Sequence, residues 1–378
     1  MYAIAESQDS RKRVVPVWWW AIAWLLALAA NVVMLTTAES ASASYPGRAG
    51  TIAFQDFYGN LDPNGVETDY YSLKFVRPPG RHVATRLSCQ GTDHTDFSGN
   101  GEQYCPLFGG GGPFQSYSGP YAPDSGPSWS PDGASLAFSG VLSHNDGSRT
   151  PKTGGCPGSC EAIFLAGADG SSPRLVPVAI ADAEQPAFMP GGKTLVFAAK
   201  TKPGVPYDLY TVATDGSALE RLTSNGASEP APCANGSIVY VHDRDLYLRG
   251  ADGRTQRLTR HGGTLPDCSR DSRTIAFVRN GALYTIYASG RDLRRLTPRH
   301  VLDGRPGFSP AGGLIAVTTT TATTSCDAGN GQSTERLDLI DLRGRRRRSY
   351  LIDRQYCAVA GPAALGAVAW QPLPTRTG

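Results

Sequence analysis

The chain has 378 residues, of which 40% are apolar, with 44 Gly, 28 Pro and a formal net charge of +3. That apolar content excludes a disordered chain, and the density of Gly and Pro excludes long helices as the main element. The small, dispersed charge excludes the basic footprint of a nucleic-acid binder. What remains is a chain of many short strands joined by turns.

In chain order, Arg11, Lys12 and Arg13 come first, followed by a charge-free stretch over residues 14–38. As a helix rising about 1.5 Å per residue, this stretch reaches across the roughly 30 Å of a bilayer's hydrocarbon layer. The basic cluster stays on the cytoplasmic side, which puts the rest of the chain outside. Ala41-Ser42-Ala43 reads as a signal-peptidase site before Ser44. Cleavage near Ala43 and retention as an anchor both stay open, and a buried core helix is the third reading. The expected division is 1–13 n-region, 14–38 anchor or signal-peptide helix, 39–49 linker, 50–373 β domain and 374–378 tail. An export route also accounts for the eight cysteines, an even number that pairs in an oxidising compartment.

A repeat occupies the rest. Pro127-Ser128-Trp129-Ser130-Pro131-Asp132-Gly133 leads into a short apolar strand, and Pro186-Ala187-Phe188-Met189-Pro190-Gly191-Gly192 does the same. Degenerate copies begin at Pro230, Pro266 and Pro306. Each is followed by a second alternating strand. A tight turn follows in most, such as Ala168-Asp169-Gly170 or Thr214-Asp215-Gly216. Arg-Leu-Thr then closes three units, at Arg221, Arg257 and Arg295. One such unit of four strands cannot bury both faces of its sheet, whereas units stacked around an axis can. Thr51–Phe54 reads as a second strand lacking its first, and Ala367–Trp370 as a first strand lacking its second. Pairing them gives an all-β, six-bladed β-propeller of four-stranded antiparallel blades, preceded by one hydrophobic helix. A seventh blade would have to lie within residues 89–126.

The P-x-W-S-P-D-G-x-x-L-A-F pattern, with a further strand, Asp-Gly and Arg-Leu-Thr, resembles the WD40-like PD40 repeat of TolB-type propellers. The resemblance covers roughly residues 50 to 372 and is sharpest at Pro127–Phe138 and Pro186–Phe197. It implies a propeller fold and extracytoplasmic binding. TolB carries a further α/β domain for which this chain shows no room, so a role in a Tol-type complex is not carried over.

In such a blade, strand a lines the axis and strand d lies outermost. The a–b and c–d turns share one face; the b–c and d–a connections share the other. Long b–c connections are expected as loops at Gln55–Tyr70, Ser139–Glu161 and Thr318–Arg336, and a long d–a connection at Ser88–Gly126. All fall on one face of three neighbouring blades. The expected disulfides there are Cys89–Cys105, Cys156–Cys160 and Cys326–Cys357. Cys233 and Cys268 stand near equivalent points of adjacent inner strands, as a bridge or as two buried thiols. The face is rich in Tyr58, Tyr70, Tyr71, Phe97, Tyr104 and Phe108, with Phe114, Tyr117 and Tyr121 beyond. These rings read either as a recognition surface or as a satellite core under the loops.

Motifs of catalysis are missing: there is no G-x-S-x-G, no HExxH and no EF-hand loop. Gly192-Lys193-Thr194 imitates the end of a phosphate loop but lacks its upstream glycine. His94 and His144, with Asp93, Asp96 and Asp146, are a weak metal signal, and solvated loop histidines account for them. Asn235-Gly236-Ser237 is a turn that happens to spell a glycosylation acceptor. Arg345–Arg348, with Arg343, fall in the last c–d turn, opposite the insertions. They suit anionic envelope polymers or lipid headgroups, or form a solvated hairpin. The first functional expectation is a non-enzymatic envelope module, without cofactor or metal, whose stapled face takes a protein, peptide or glycan. Membrane contact comes through the N-terminal helix if it is uncleaved. The alternative is a propeller lyase or hydrolase at the axial mouth, with Asp56, His242, Asp243 and Arg279 as the visible candidates.

Overall fold

The computed structural model describes residues 45, 47–61, 67–78, 83–92, 126–142, 160–180, 182–202, 204–299, 302, 304–322, 332–356 and 364–374. The apolar stretch 14–38, the linker up to Ser44 and the tail beyond Pro374 lie outside them. So do Cys105, Cys156, Cys326, Cys357, Phe97, Tyr104, Phe108, Phe114, Tyr117, Tyr121, His94 and His144. The three disulfides expected from these residues, and the weak metal signal at His94 and His144, therefore fall outside the described part. Among the described residues no helix is long and apolar enough to cross a membrane.

The described residues form 24 strands in six antiparallel sheets of four. Blade I runs, from the axis outward, β24 (Ala364–Leu373), β1 (Arg48–Leu61), β2 (Glu67–Val76) and β3 (Val83–Thr92). Blade II is β4 (Ser128–Trp129), β5 (Ser135–Leu142), β6 (Cys160–Gly167) and β7 (Arg174–Leu175). Blade III is β8 (Ala183–Phe188), β9 (Thr194–Ala199), β10 (Asp208–Ala213) and β11 (Glu220–Arg221). Blade IV is β12 (Ser228–Pro232), β13 (Ile238–His242), β14 (Asp245–Arg249) and β15 (Thr255–Arg257). Blade V is β16 (Thr264–Cys268), β17 (Thr274–Arg279), β18 (Ala282–Tyr287) and β19 (Arg294–Arg295). Blade VI is β20 (Gly307–Phe308), β21 (Leu314–Ala322), β22 (Gln332–Asp341) and β23 (Arg346–Tyr356). Each inner strand touches the next, and β20 touches β24, which touches β4, so the ring closes. Six sheets hold the whole repeat, with no seventh among the described residues.

Alternation explains the burial. In β9 and β17 both faces are covered by neighbouring blades, so Leu195, Val196, Phe197, Ile275, Ala276 and Phe277 are all fully buried. The clusters they form run between blades rather than within one, as where Phe188 and Phe197 of blade III meet Ile163 and Val176 of blade II. The wedge between two blades is thus the unit of hydrophobic core.

The turns follow their chemistry. Asp169, Asp215 and Asp252 each accept the backbone N–H two residues on, at 2.9, 2.9 and 3.0 Å. Asn280 (φ 51°) and Gly281 (φ 65°) make the two-residue hairpin of blade V. Blade IV uses Asp243 (φ 48°) and Arg244 (φ 64°) in the same place. Gly191 and Gly192 both have positive φ in the β8–β9 turn, so the Gly-Lys-Thr run is a strand connection.

Arg-Leu-Thr forms a polar clasp. In blade IV, Thr259 Oγ1 donates to Asp245 Oδ1 at 2.9 Å and accepts the Leu246 N–H at 2.9 Å. Gly262 N–H also donates to Asp245 Oδ1, at 2.8 Å, and Arg257 pairs with Asp245 Oδ2. Blade III repeats this with Asp208, Thr223, Gly226 and Arg221. The clasp ties strand c to the chain leaving strand d, where the outer strand itself is only two or three residues long. Blade V has Ala282 in the Asp position and keeps only the Thr297 bond to Leu283 N–H.

Two expectations need correction. The b–c segments of blades I and VI continue as paired strands over more than half of their length, and that of blade II does so at its two ends. Pairing in blade I runs to Leu61↔Glu67, in blade II to Leu142↔Cys160 and in blade VI to Ala322↔Ser333. Only residues 62–66, 143–159 and 323–331 separate the paired strands. The Thr-rich and Tyr-rich sequences there, Thr318–Thr321 and Tyr58 with Tyr70 and Tyr71, suit a pleated ladder. Likewise Ser88–Thr92 belongs to β3, so the d–a connection begins five residues later than expected. Cys89 lies within that strand, opposite Tyr71.

Candidate functional site: the axial channel and the extended hairpin face

Each inner strand presents the residue after its proline, or after Ala367 in blade I, to the axis. These are Ser128, Ala187, Ala231, Asp267, Gly307 and Val368, one from each blade. They line a channel with about 560 Å³ of space free of protein atoms, counting its open mouth. Small side chains are needed there because six strands converge. Gly307 shows the crowding, since a Cβ on it would stand 2.9 Å from the Val368 carbonyl oxygen.

The prolines explain how the strands are fixed. The residue before Pro adopts positive φ in three blades, at Gln185 (56°), Glu229 (53°) and Leu265 (53°). Each coincides with a register shift in its inner ladder. Proline cannot donate to the ladder, so a bulge at this point costs no hydrogen bond there. Positive φ at a non-glycine residue costs about 1–2 kcal/mol, and side chains offset it across blades. Gln185 Oε1 accepts the Glu229 N–H at 2.7 Å, and the Glu229 carboxylate accepts the Leu265 N–H. Ser128 Oγ accepts the Phe188 N–H at 3.2 Å, and Asp267 Oδ2 accepts the Phe308 N–H at 2.7 Å.

Tyr45 enters this channel. It is 6% exposed and its hydroxyl donates to the Phe188 carbonyl at 2.6 Å. Burial, and then the charge of Asp267, push the phenol above its ordinary range, so it stays a neutral donor. Arg305, also in the lining, reaches the Pro230 carbonyl at 3.4 Å. The sequence offered no sign of Tyr45, because nothing in a single tyrosine ahead of the first strand marks a plug.

The other named residues are accounted for as follows. His242 Nδ1 bonds the Gly226 carbonyl and its ring lies edge-on to Tyr247 at 5.3 Å. Arg279 donates twice to the Gly262 carbonyl, at 2.9 and 2.6 Å, and covers the rings of Phe277 and Tyr284. His242 and Arg279 thus hold equivalent positions in blades IV and V, each fastening the end of strand b to the preceding d–a loop. Asp243 is 84% exposed in its turn. Asp56 lies in β1 opposite Ser72. Tyr58 and Tyr70 stand opposite each other in the extended hairpin of blade I. Among the described residues no group of three or more His, Cys, Asp or Glu is placed to hold a metal ion. Cys233 and Cys268 are joined by a disulfide between blades IV and V, with Cα atoms 5.3 Å apart and both side chains fully buried. They are not equivalent positions. Cys268 ends strand β16, whereas Cys233 is the first residue after β12.

Among the described residues, extended hairpins stand on one face only. Blades VI, I and II are consecutive around the ring and carry the long b–c ladders, whereas blades IV and V carry two-residue turns. The face is therefore raised on one side of the axis and low on the other.

No protein-family model matches the sequence, and no curated protein matches it. Solved structures do. TolB from Acinetobacter baumannii is similar with a TM-score of 0.55 at 20% identity, over 85% of this chain and 67% of that one. A structure of hydrazine synthase from Kuenenia stuttgartiensis is similar with a TM-score of 0.53 at 12% identity, over 89% of this chain and 49% of that one. Identities this low establish fold alone, and on that footing the chain is a six-bladed β-propeller structurally similar to the propeller of TolB.

Proposed function

We propose that the chain is a non-enzymatic binding module of the extracytoplasmic space, whose raised b–c face engages a protein, peptide or glycan of the cell envelope. The observation that carries this reading is the asymmetry of the hairpins. The b–c ladders of three adjacent blades, I, VI and II, run to ten, nine and eight pairs, against five or six in the others. Long elements on a rigid scaffold cost folding entropy, and such elements build recognition surfaces. A buried interblade disulfide supports an oxidising compartment. The polar groups at the axis support the non-catalytic reading as well, since Asp267 and Tyr45 already bond backbone groups of neighbouring blades.

The test is affinity capture from membranes with the full chain. The same capture is then run with a variant in which residues 58–70 are replaced by an Asn-Gly turn, which closes the blade I hairpin on the Phe57↔Tyr71 pair and shortens it to the length seen in blade V. Partners held by the full chain and lost by the shortened variant support the proposal. Identical capture by both rejects it. Turnover of an envelope polysaccharide or peptide by the purified chain would favour the catalytic alternative at the axial mouth.

A further inference from the structure

The face opposite the hairpins has a chemistry of its own. At the c–d turns of blades V and VI and the strand ends beside them, residues 288–294 and 338–348 hold seven arginines against three carboxylates. Arg291, Arg294, Arg343, Arg345, Arg346 and Arg347 are all exposed. The three acids are committed. Asp341 accepts the Arg343 and Arg345 backbone N–H groups at 2.9 Å each and pairs with Arg347. Asp292 pairs with Arg294 at 2.9 Å, and Asp338 with Arg346 at 3.4 Å. The blade VI turn packs on the outer strand of blade V, for Gly344 lies so close to the carbonyl oxygen of Leu296, just past β19, that a Cβ there would meet it at 2.4 Å.

Large apolar side chains stand among these arginines. Leu293 is 47% exposed and Leu342 is 44% exposed, each next to an arginine at a turn tip. Arginine beside exposed leucine on a rigid surface is the composition that suits a lipid interface.

The chain's own path points to the occupant. Arg48 opens β1 opposite Leu373 at the end of β24, and Gly133 in the a–b turn of blade II touches the Pro372 carbonyl. The described chain therefore begins, at Tyr45, on the a–b and c–d side of the propeller. Residues 39–44 connect Tyr45 to the apolar stretch 14–38, a span of at most about 25 Å fully extended. On the reading that this stretch is retained as an anchor, those six residues tie it to the side of the propeller on which Tyr45 begins.

We propose that the c–d turns of blades V and VI dock on anionic lipid headgroups, with Leu293 and Leu342 entering the headgroup layer and the arginines neutralising its charge. The propeller then presents its raised hairpins away from the membrane. Each arginine held near an anionic surface changes occupancy of the docked state roughly fivefold.

The full chain reconstituted in vesicles of phosphatidylcholine alone, or of phosphatidylcholine with phosphatidylglycerol, tests this through arginine-selective labelling by phenylglyoxal read by mass spectrometry. Labelling of Arg343 and Arg345 should fall at least fivefold in the anionic vesicles. Arg244, in the opposite b–c turn, should label equally in both. High salt, or Leu293→Ser with Leu342→Ser, should restore the labelling. These exposed tips bear no core, so the variant folds, and an unchanged Arg244 rate verifies it. Equal labelling of Arg343 and Arg345 in both vesicle types overturns the proposal. So does protection by soluble polyphosphate without protection by anionic vesicles, which would assign the surface to a polyanion.

Discussion

Ile52 and Trp370 face each other across one antiparallel ladder, although they come from opposite ends of the chain. Ile52 is fully buried and Trp370 is 6% exposed, both in the cluster between blades VI and I. The closing strand therefore fills a core as well as pairing an edge. Trp370→Ala should cost roughly 3–5 kcal/mol, the range for truncating a buried aromatic, with an unchanged m-value in urea unfolding. Deleting residues 364–378 should do more. It uncovers the β1 edge and the blade VI wedge together, and loss of a cooperative near-ultraviolet melting transition would report it.

Glycines in equivalent turns should differ sharply. Gly133 has φ +69°, and an added Cβ would stand 2.1 Å from the Pro372 carbonyl oxygen of the closing strand. Gly191 has φ +95° with nothing within 4 Å of an added Cβ. Gly191→Ala should cost about 1–2 kcal/mol, from backbone conformation alone. Gly133→Ala must also displace β24 from its neighbour, so its melting temperature should drop well beyond that of Gly191→Ala. Equal drops would mean that the blade I–blade II contact is not tight.

These two sites show what the sequence could and could not disclose. Repeats carry their own register, so the pairing of Ile52 with Trp370 was readable by asking which copy lacked a partner strand. Hairpin turns were readable because Asp-Gly and Asn-Gly need positive φ. Tyr45 was not, because its role depends on a channel that exists only once six blades converge. Thr223 and Thr259 were visible as a recurrent Arg-Leu-Thr, but their purpose needed the aspartate across the sheet, at Asp208 and Asp245. The hairpins were expected as loops because turn-forming residues such as Gly59 and Asn60 interrupt the apolar pattern there, although both are paired within β1. That punctuation masked the ladder beneath it.

Cys233 and Cys268 close a loop of sequence separation 35 within the hydrophobic cluster of blades IV and V. Chain-entropy reasoning assigns such a loop about 4 kcal/mol. Replacing both by Ala should lower stability by that order and add a small cavity cost. Mild reductants should leave the native bond intact, because both sulfurs are fully buried. Thiol quantification of the folded chain with and without denaturant checks the second point. Rapid reduction of this pair without unfolding would contradict the burial.

The Asp245 clasp makes stability depend on acid in a defined direction. Burial by itself would raise the Asp245 pKa, but the Arg257 hydrogen bond, the Gly262 N–H and the Thr259 hydroxyl together outweigh it, and the carboxyl is held below its ordinary value. Unfolded, the same group titrates near 3.9, to a rough approximation. Between the two values the unfolded chain binds more protons than the folded one, so stability rises with pH there. The contribution is complete above the unfolded value and is lost as pH falls through it towards the folded one. Asp245→Asn keeps the shape, binds no proton and loses the ion pair. At neutral pH it should cost about 1–3 kcal/mol, the scale of a charged hydrogen bond in a buried place. Arg257 is 42% exposed and can turn to water, which keeps the loss below that of a stranded buried charge. Near pH 2.5 the native aspartate is itself losing its advantage, so the gap between the two proteins should narrow. Urea unfolding at the two pH values reads this directly. A gap of the same size at both would show that the carboxylate's charge contributes nothing, and that Thr259 and Gly262 hold the clasp through geometry alone.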